Sequence, residues 1–310
     1  MYALVFPGQG SQSIAMLSEL SQQYDSVKAC FDEASSGAGL DLWDLCQNGP
    51  EELLNKTENT QPALLAAGVA VWQIWQQKSL IKPAFLAGHS LGEYSALVAA
   101  GSLSLKDGAA LVAARGRFMQ EAVPEGTGGM AAILGLDDDV VIDVCSQIDG
   151  LVSAANFNSP GQVVIAGSAE AVNLAIEAAT TAGARRAVPL AVSVPSHCEL
   201  MRPAAEKLSE LISQVAFETP QIPVIQNADA KVLTSADEIK DGLVRQLYQP
   251  VRWSQSIAYA IDAGVHQIGE AGPGKVLTGL MRRIDRKVEA KALENEQNLL
   301  AAVEAWAHEE

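Results

Sequence analysis

The sequence predicts an α/β protein: a hydrolase-like large domain with a mainly parallel sheet, into which a smaller ferredoxin-like unit is inserted. In the first part of the chain, short apolar runs that end in glycine alternate with longer helical patterns, which is typical of parallel strands covered by helices. In the middle of the chain, the patterns follow the order β-α-β-β-α-β instead. With 310 residues, the chain is long enough to bury a sizeable core.

The large domain is predicted to comprise residues 1–126 and 195–310. Its first strand is the buried run YALVFPG, which ends in a glycine-rich turn, and the run PAFLAG predicts a second strand. Apolar periodicity predicts helices between and after these strands. These helices cover residues 13–34, 61–78, about 91–100 and 105–121, and the large domain resumes with the run PSHCELMRPAAEKLSELI after residue 194.

The small subdomain is predicted to comprise residues 127–194. GMAAILGL predicts a strand, DDDVVIDVCSQI a helix, and LVSAANFN and QVVIAGS two strands joined by the turn SPG. AEAVNLAIEAATTAG then predicts a helix that ends at Gly183, and RRAVPLAVSV predicts the last strand. This element order is that of the split βαβ, or ferredoxin-like, unit.

Charge and hydropathy exclude several function classes. The formal net charge of −16 argues against nucleic-acid binding, which relies on lysine and arginine to neutralise phosphates. No apolar run is long enough to cross a bilayer, so we expect no membrane contact. The N-terminal run MYALVFPGQG has no basic residue before its apolar part, unlike a secretory signal. We therefore expect a cytoplasmic protein.

The four cysteines show neither CxxC pairs nor metal-ligand spacing with the histidines. We expect them to be reduced thiols, and we expect no metal site. Cys198 follows His197 directly and is the one alternative candidate for a nucleophile. The cysteines are Cys30, Cys46, Cys145 and Cys198.

The stretch AFLAGHSLGEYSAL places a serine between a predicted strand and a predicted helix. Gly88 and Gly92 flank Ser90 in the Gly-x-Ser-x-Gly pattern of a nucleophile elbow, a turn too sharp for larger side chains. Such a turn exposes the serine hydroxyl and points the backbone N–H of Leu91 at an oxyanion formed there. A plain helix start with a serine cap is the alternative, but the strand before it favours a nucleophile.

A serine nucleophile needs a base, and His197 has the best location. It lies in a proline-broken loop between a strand and a helix, where catalytic groups are often presented. The side chain of His89 is expected to diverge from Ser90, because the two are adjacent at a tight turn. No acidic residue between Ser90 and His197 clearly follows a core strand, so we expect a group other than a carboxylate, such as a backbone carbonyl, to orient the histidine. The other histidines are His266, near a late strand, and His308, in the polar C-terminal tail.

Arg115 lies in the middle of the apolar face of the helix LKDGAALVAARGRFMQ. It is three or four residues from each of four apolar residues, whereas Arg117 is rotated away from them. A guanidinium that faces inward needs an anionic partner, because an unpaired buried charge is very costly. That partner is either a carboxylate of the protein or a carboxylate of the substrate, which Arg115 would bind through two parallel hydrogen bonds.

The loop FPGQGSQ after the first strand resembles part of a dinucleotide-binding fingerprint. Ser13 stands where the third glycine would be, and no ribose-binding acid is evident some 20 residues further on. We therefore expect no nicotinamide cofactor. Gln9 between its two glycines is expected to place a polar group beside the elbow instead.

Taken together, the motifs resemble those of the bacterial malonyl-CoA:acyl carrier protein transacylases, the malonyl-loading enzymes of type II fatty acid synthesis. The resemblance covers residues 1 to about 285, with all motifs in the family's order. They are FPGQGSQ, TQPAL, GHSLGEYSAL, the RGRFMQ run, NFNSPGQVVIAG, VPSH, LVRQLYQPVRW and GPGKVLTGL.

The resemblance implies roles for individual residues. Ser90, activated by His197, is implied as the nucleophile, and Arg115 as the residue that binds the malonyl carboxylate. The oxyanion hole is implied at the backbone N–H groups of Gln9 and Leu91. The backbone carbonyl of Gln246 is implied to hold the second ring nitrogen of the histidine, and Gln61 and Asn158 match positions near the substrate.

The resemblance also implies the reaction and the fold. A malonyl group moves from malonyl-CoA to Ser90 and then to the phosphopantetheine thiol of acyl carrier protein, with no tightly bound cofactor. The family's hydrolase-like domain with a ferredoxin-like insertion matches the pattern described above. Three alternatives remain open: a serine hydrolase or thioesterase on acyl-CoA, an acyltransferase for another carboxylated extender such as methylmalonyl-CoA, and a non-catalytic acyl-CoA-binding protein.

Carrier proteins are acidic in general and so is this chain, so net charge opposes their association. We therefore expect local basic clusters to steer a transient contact with acyl carrier protein, and we expect the enzyme to be a monomer. The candidate clusters are Arg185 with Arg186, and Lys275 with Arg282, Arg283, Arg286 and Lys287.

Overall fold

Two separate sheets organise the computed structural model, which describes residues 1–192 and 194–306. The first sheet has six strands and the second has four. The strands, in chain order, are β1 (Tyr2–Phe6), β2 (Phe85–Gly88), β3 (Gly128–Leu134), β4 (Val152–Ser159), β5 (Gln162–Ser168), β6 (Arg186–Pro189), β7 (Val224–Gln226), β8 (Lys231–Val232), β9 (Gln267–Glu270) and β10 (Glu289–Ala292).

Helices cover both sheets, and a short 3-10 helix (Glu199–Met201) follows the loop that carries His197. The α-helices, in chain order, are α1 (Ser18–Gln23), α2 (Asp25–Ala38), α3 (Leu42–Asn48), α4 (Glu51–Leu54), α5 (Thr57–Lys78), α6 (Gly92–Ala99), α7 (Leu105–Ala122), α8 (Asp138–Ser146), α9 (Ala169–Thr181), α10 (Arg202–Ser213), α11 (Ala236–Arg245), α12 (Trp253–Asp262), α13 (Val276–Ile284) and α14 (Glu296–Trp306).

The six-stranded sheet is mainly parallel, as predicted, with the strand order β10-β9-β1-β2-β7-β8. The central strand β1 pairs in parallel with β2 and β9, and all five of its residues are buried because helices cover both faces. Only β7 and β8 pair in the antiparallel direction. The carboxyl ends of β1 and β2 meet at one edge of the sheet, where the loops around Gln9 and Ser90 emerge.

The four-stranded sheet is antiparallel, with the order β4-β5-β3-β6, and α8 and α9 pack on it around a core of its own. This is the ferredoxin-like arrangement that the sequence predicts. Backbone hydrogen bonds at Val251 join β4 to the large domain: its N–H donates to Ala155, and its carbonyl accepts from Phe157. The boundaries at residues 127 and 194 stay a prediction.

Several elements differ from the sequence prediction in extent. The helix predicted at 13–34 is two helices, because Tyr24 has an extended backbone between α1 and α2. The helix predicted at 61–78 begins at Thr57, directly after the extended Lys56, so that Pro62 lies inside it. The strand predicted at 185–194 is shorter, because β6 ends at Pro189. The backbone N–H of Leu190 still donates to the carbonyl of Met130 in β3, and Leu190, Val192 and Val194 line the active-site pocket.

Among the described residues, no helix combines the length and the apolar composition that crossing a membrane requires.

Candidate active site

Ser90 lies on the predicted sharp turn between β2 and α6. Its backbone has a positive φ of 52°, the left-handed region that side chains other than glycine rarely adopt. A Cβ atom at Gly88 would lie 1.8 Å from the carbonyl carbon of Gly92, and one at Gly92 would lie 2.1 Å from the backbone oxygen of Phe6. Both glycines are therefore required by close backbone approach, and the turn has the form of a nucleophile elbow.

His197 contacts the nucleophile directly. The Ser90 hydroxyl donates to Nε2 of His197 over 2.8 Å, and Nδ1 of His197 donates to the backbone carbonyl of Gln246 over 2.7 Å. Because a carbonyl only accepts, this second bond fixes the proton on Nδ1 and leaves Nε2 free to take the serine proton. A backbone carbonyl thus holds the position that a carboxylate holds in a Ser-His-Asp triad.

The surroundings of His197 keep its imidazole neutral. Burial, and after it the charge of Arg115, lowers the pKa of His197 to about 3, although the bond to Gln246 opposes the shift. A neutral imidazole is the form that a general base needs. His197 itself has a φ of 62°, and its backbone N–H is bonded to the carbonyl of Leu247, so the loop holds it in a strained conformation.

The other candidate bases and the alternative nucleophile do not take the place of His197 or Ser90. His89 diverges from Ser90, as predicted, and its Nε2 lies 2.8 Å from Oδ1 of Asn158. His266 lies beside the N-terminus of the chain, and His308 falls outside the described residues. Cys198 is buried, donates to the carbonyl of Pro195, and has its pKa raised by burial to about 11, so it lacks the thiolate of a reactive cysteine.

Arg115, on α7, faces inward and is only 1% exposed. Its Nη1 donates to Oε1 of Gln61 over 2.8 Å, and its Nη2 donates to Oε1 of Gln246 over 3.0 Å. The Nη2 atom also lies 3.3 Å from the hydroxyl oxygen of Ser90. The guanidinium is therefore bound to two neutral amide oxygens and stands beside the nucleophile.

The charge of Arg115 is only partly satisfied. No carboxylate of the described residues forms a salt bridge with it, and its buried Nε has no acceptor there either. The ring of Tyr94 lies 5.8 Å from the guanidinium carbon, which gives a cation–π contact. Burial lowers the pKa of Arg115. The sequence left two possible partners for Arg115, a carboxylate of the protein or one of the substrate. Among the described residues, no carboxylate of the protein pairs with it.

A pocket of about 160 Å³ opens in front of Ser90. Its lining combines polar residues with apolar ones, among them Leu190, Val192 and Val194 from the segment that follows β6. The backbone N–H groups of Gln9 and Leu91 donate no hydrogen bond to any described residue, as an oxyanion hole requires of its donors. The lining residues are Gln9, Gln61, His89, Ser90, Leu91, Arg115, Met119, Met130, Asn156, Val164, Leu190, Val192, Val194, Ser196 and His197.

The side chains of the remaining predicted site residues, Gln9, Gln61 and Asn158, each bind a different partner near this pocket. The side chain of Gln9 donates to Thr57, and that of Gln61 binds Arg115. Asn158 binds His89 but does not itself line the pocket, whereas Asn156, two residues before it, does. That Asn158 contacts substrate stays a prediction. The described residues contain no group of three or more residues that could hold a metal ion.

Two polar residues near the elbow were missed by the sequence analysis. Asn227, after β7, donates to the carbonyl of Gly88 and accepts from the N–H of Ser90, both over 2.7 Å. Glu93, on α6, is fully buried and binds Asn227 and Gln246. The signal for Glu93 was present: it is a charged residue in the apolar run that follows the elbow.

Comparisons with known proteins agree on one family. The family model of the acyl transferase domain matches residues 3–295. The malonyl CoA-acyl carrier protein transacylase of Salmonella typhimurium is 55% identical to this chain over 304 residues, which are 97% of this chain and 98% of that protein.

Solved structures agree with the sequence relatives. The malonyl-CoA:acyl carrier protein transacylase of Xanthomonas oryzae is 54% identical and superposes with a TM-score of 0.97 over 99% of this chain and 98% of its own. A malonyl transacylase solved in complex with its type II polyketide synthase acyl carrier protein is 53% identical, with a TM-score of 0.96 over 98% and 99%. The chain belongs to the malonyl CoA-acyl carrier protein transacylase family, within the acyl transferase domain family.

Proposed function

We propose that this enzyme transfers a malonyl group from malonyl-CoA to the phosphopantetheine thiol of acyl carrier protein, through a malonyl ester of Ser90. One observation carries the proposal: an arginine that has no carboxylate partner among the described residues lies 3.3 Å from a serine hydroxyl that is bonded to a neutral histidine. The site thus joins a nucleophile to a receptor for a carboxylate. The names of the relatives, and the neighbour bound to a carrier protein, support the same substrates.

In the first half-reaction, Oγ of Ser90 attacks the thioester carbonyl of malonyl-CoA, and its proton passes to Nε2 of His197. The negative charge on the former carbonyl oxygen is stabilised by the N–H groups of Gln9 and Leu91, and one such donor contributes about 10²–10³ in rate. The carbon–sulfur bond then breaks, the sulfur takes the proton from His197, and CoA leaves. The product is a malonyl ester on Ser90.

In the second half-reaction, the phosphopantetheine thiol takes the place of CoA. His197 accepts the thiol proton, the sulfur attacks the ester carbonyl, and the same two N–H groups stabilise the oxyanion. Collapse of the intermediate breaks the bond to Ser90 and returns the proton from His197 to the serine oxygen. The enzyme is regenerated, and no cofactor enters either half-reaction.

Arg115 selects the acyl group. In malonyl-CoA a single methylene separates the carboxylate from the thioester carbonyl, so the carboxylate falls close to the nucleophile, where Nη2 of Arg115 lies. The planar guanidinium can hold a carboxylate through two parallel N–H bonds. An acetyl group lacks this carboxylate and leaves the buried charge unpaired, at a cost of about 3–5 kcal/mol if desolvation is complete.

Two other activities on the same residues differ in measurable ways. A thioesterase would let water reach the malonyl ester, so it would release malonate instead of charging a carrier protein. An extender with a branch, such as methylmalonyl-CoA, would need additional space in the pocket, which Ser196 and Met119 help to line. The unpaired Arg115 favours a carboxylated acyl group in either case.

The experiment that tests the proposal is intact-protein mass spectrometry after brief mixing with malonyl-CoA, acetyl-CoA or neither. The wild type is expected to gain a malonyl adduct that Ser90→Ala lacks and that holo acyl carrier protein discharges to malonylated carrier protein. Free malonate and CoA without adduct or transfer would contradict the proposal and indicate a hydrolase. An equal adduct from acetyl-CoA would remove the role of Arg115.

Arg282 and Arg283, in the last turn of α13, are our candidates for steering the carrier protein. We expect Arg282→Ala/Arg283→Ala to raise the KM for acyl carrier protein a few-fold at low salt, because surface charges act mainly on association. Malonyl loading from CoA is expected not to change, since neither residue lines the pocket. An equal fall in loading would contradict this docking site. The monomeric state and the cytoplasmic location stay predictions.

A further inference from the structure

A buried glutamate, Glu93, contacts two residues that hold the active site in place. One is Asn227, which binds the turn that carries Ser90, and the other is Gln246, which binds Arg115. Glu93 is the second residue of α6, three positions after Ser90, and its side chain is fully buried. A buried carboxylate is retained only where it is well bonded, because burial penalises its charge. Its partners therefore indicate what it does.

One oxygen of Glu93 makes both of its hydrogen bonds. Oε2 accepts from the backbone N–H of Asn227 over 2.7 Å and from Nε2 of Gln246 over 3.1 Å. The side-chain amide of Asn227 in turn bridges the elbow, since it donates to the carbonyl of Gly88 and accepts from the N–H of Ser90. Glu93 thus holds the backbone of Asn227, whose side chain in turn holds the elbow at Gly88 and Ser90.

Through its bond to Gln246, Glu93 is also connected to Arg115. An amide side chain has two orientations that exchange its oxygen and nitrogen, and the hydrogen-bond partners decide between them. Nε2 of Gln246 donates to Glu93 and to the backbone oxygen of Ser90, so Oε1 must face the other way. In that orientation Oε1 accepts from Nη2 of Arg115 over 3.0 Å. The reversed amide would place N–H groups against the guanidinium.

We propose that Glu93 is a positioning residue of this transacylase: its Oε2 atom orients the Gln246 amide and the Asn227 backbone, and through them Arg115 and Ser90. The inference rests on the proposed function, because it concerns how the site selects a carboxylated acyl group. Glu93 does not line the pocket and is assigned no contact with substrate.

The hydrogen bonds distinguish an acceptor role from a role as counter-ion. Glu93 forms no salt bridge with Arg115, and its Oε1 has no partner among the described residues. Burial raises the pKa of Glu93 to about 7. In a protonated carboxyl, Oε1 can carry the proton while Oε2 still accepts both bonds. A glutamine at this position can offer the same acceptor without charge.

Two substitutions at one position therefore test the proposal. Glu93→Gln keeps an acceptor oxygen, whereas Glu93→Met keeps the approximate volume and removes it. Glu270 supplies matched controls, because it is also buried, and its carboxylate accepts from the N–H groups of Leu277 and Thr278 without contacting Ser90, His197 or Arg115. Glu270→Gln and Glu270→Met make the same chemical changes at a site that serves the fold.

The measurements are the second-order rate constants for acylation by malonyl-CoA and by acetyl-CoA, followed by intact mass, and the melting temperature of each variant. Glu93→Met is expected to lower the malonyl-to-acetyl ratio by about tenfold, the equivalent of one hydrogen bond to a charged group. Glu93→Gln is expected to stay within about threefold of the wild-type ratio. Glu270→Met is expected to lower the melting temperature and leave the ratio unchanged.

The proposal is overturned if Glu93→Met keeps the wild-type ratio, or if Glu93→Gln loses it as fully as Glu93→Met does, which would assign the effect to charge. If Glu93→Met does not fold, Gln246→Ala replaces it: that variant keeps the backbone carbonyl for His197 and must lower the ratio, and an unchanged ratio overturns the proposal. The wild-type arm separates the two hypotheses, because a wild type that forms no malonyl adduct refutes the proposed function itself.

Discussion

The two halves of the active site are held in different ways. Ser90 and His197 are placed by the backbone: a turn of positive φ carries the serine, and the main-chain oxygen of Gln246 orients the histidine. Arg115 is placed by side chains, the amides of Gln61 and Gln246, and its buried Nε has no acceptor in the part of the chain that the structure describes. The catalytic half is complete before substrate arrives, whereas the selecting half is completed only by a carboxylate.

With this arrangement, one site can combine reactivity with selectivity. Preorganised donors and a neutral base cost nothing further at the moment of reaction, so they serve every acyl group alike. A buried cation with incomplete partners rewards only the acyl group that supplies its missing anion. Substitutions in the first half should therefore change all substrates together, and substitutions in the second half should change their ranking.

The largest effect is expected for the base. His197→Ala removes the acceptor of the Ser90 proton, so acylation should slow by about 10³-fold or more for malonyl-CoA and acetyl-CoA alike. Stopped acylation reactions analysed by intact mass measure both rates. A loss confined to malonyl-CoA would contradict the division into two halves.

A smaller and selective effect is expected for Arg115→Lys. The lysine keeps a positive charge but loses the planar fork, so kcat/KM for malonyl-CoA should fall about 10- to 100-fold. Acylation by acetyl-CoA, which never used the fork, should change by less than about threefold. Competition between the two thioesters in one tube measures the ratio, and an unchanged ratio would refute the role of Arg115.

Gln61→Glu should supply Arg115 with a carboxylate partner inside the protein and so remove its preference for a malonyl group. The new carboxylate would lie where Oε1 of Gln61 now lies, 2.8 Å from Nη1 of Arg115, and would pair with the guanidinium in place of substrate. Malonyl acylation should fall about tenfold while acetyl acylation is retained. Gln61→Met, which adds no carboxylate, is the matched control, and an equal fall in that variant would contradict the explanation.

The pH dependence of acylation tests whether the catalytic half holds a neutral base. Because the pKa of His197 is lowered to about 3, the free enzyme should hold a neutral base from pH 7 down to pH 5, and kcat/KM for malonyl-CoA should stay flat. A histidine with its ordinary pKa of about 6.5 would lose nearly tenfold per pH unit below that value. Such a loss in the measured profile would contradict the buried, neutral imidazole.

The lowered pKa of His197 also makes the free energy of unfolding depend on pH. A histidine whose pKa is lower in the folded state favours folding most above pH 6.5, its ordinary value. As the pH falls below that value, the unfolded chain takes up a proton that the folded chain refuses. The contribution of His197 is therefore lost progressively from about pH 6.5 towards pH 3.

Much of the fold and of the site could be predicted from local sequence. The Gly-x-Ser-x-Gly pattern after an apolar run predicted the elbow, because the backbone there excludes any Cβ at Gly88 or Gly92. The inward-facing Arg115 followed from helical periodicity alone. The order of strands in residues 127–194 likewise predicted the second sheet.

What could not be predicted depends on contacts between distant segments. Nothing near Gln246 in the sequence shows that its carbonyl meets His197, 49 residues away, and the resemblance to a family supplied that role. Asn227 reaches the elbow across 137 residues, so no local pattern marks it. The break at Tyr24 and the early end of β6 were missed because apolar periodicity continues through both.

A crystal structure of the malonyl ester of Ser90, trapped by soaking the enzyme with malonyl-CoA, would show whether Arg115 binds the malonyl carboxylate. We expect the carboxylate to accept from two nitrogens of Arg115, and the ester carbonyl oxygen to lie within hydrogen-bond distance of the N–H groups of Gln9 and Leu91. An ester whose carboxylate points to solvent, with Arg115 bonded as before to Gln61 and Gln246, would contradict this role of Arg115.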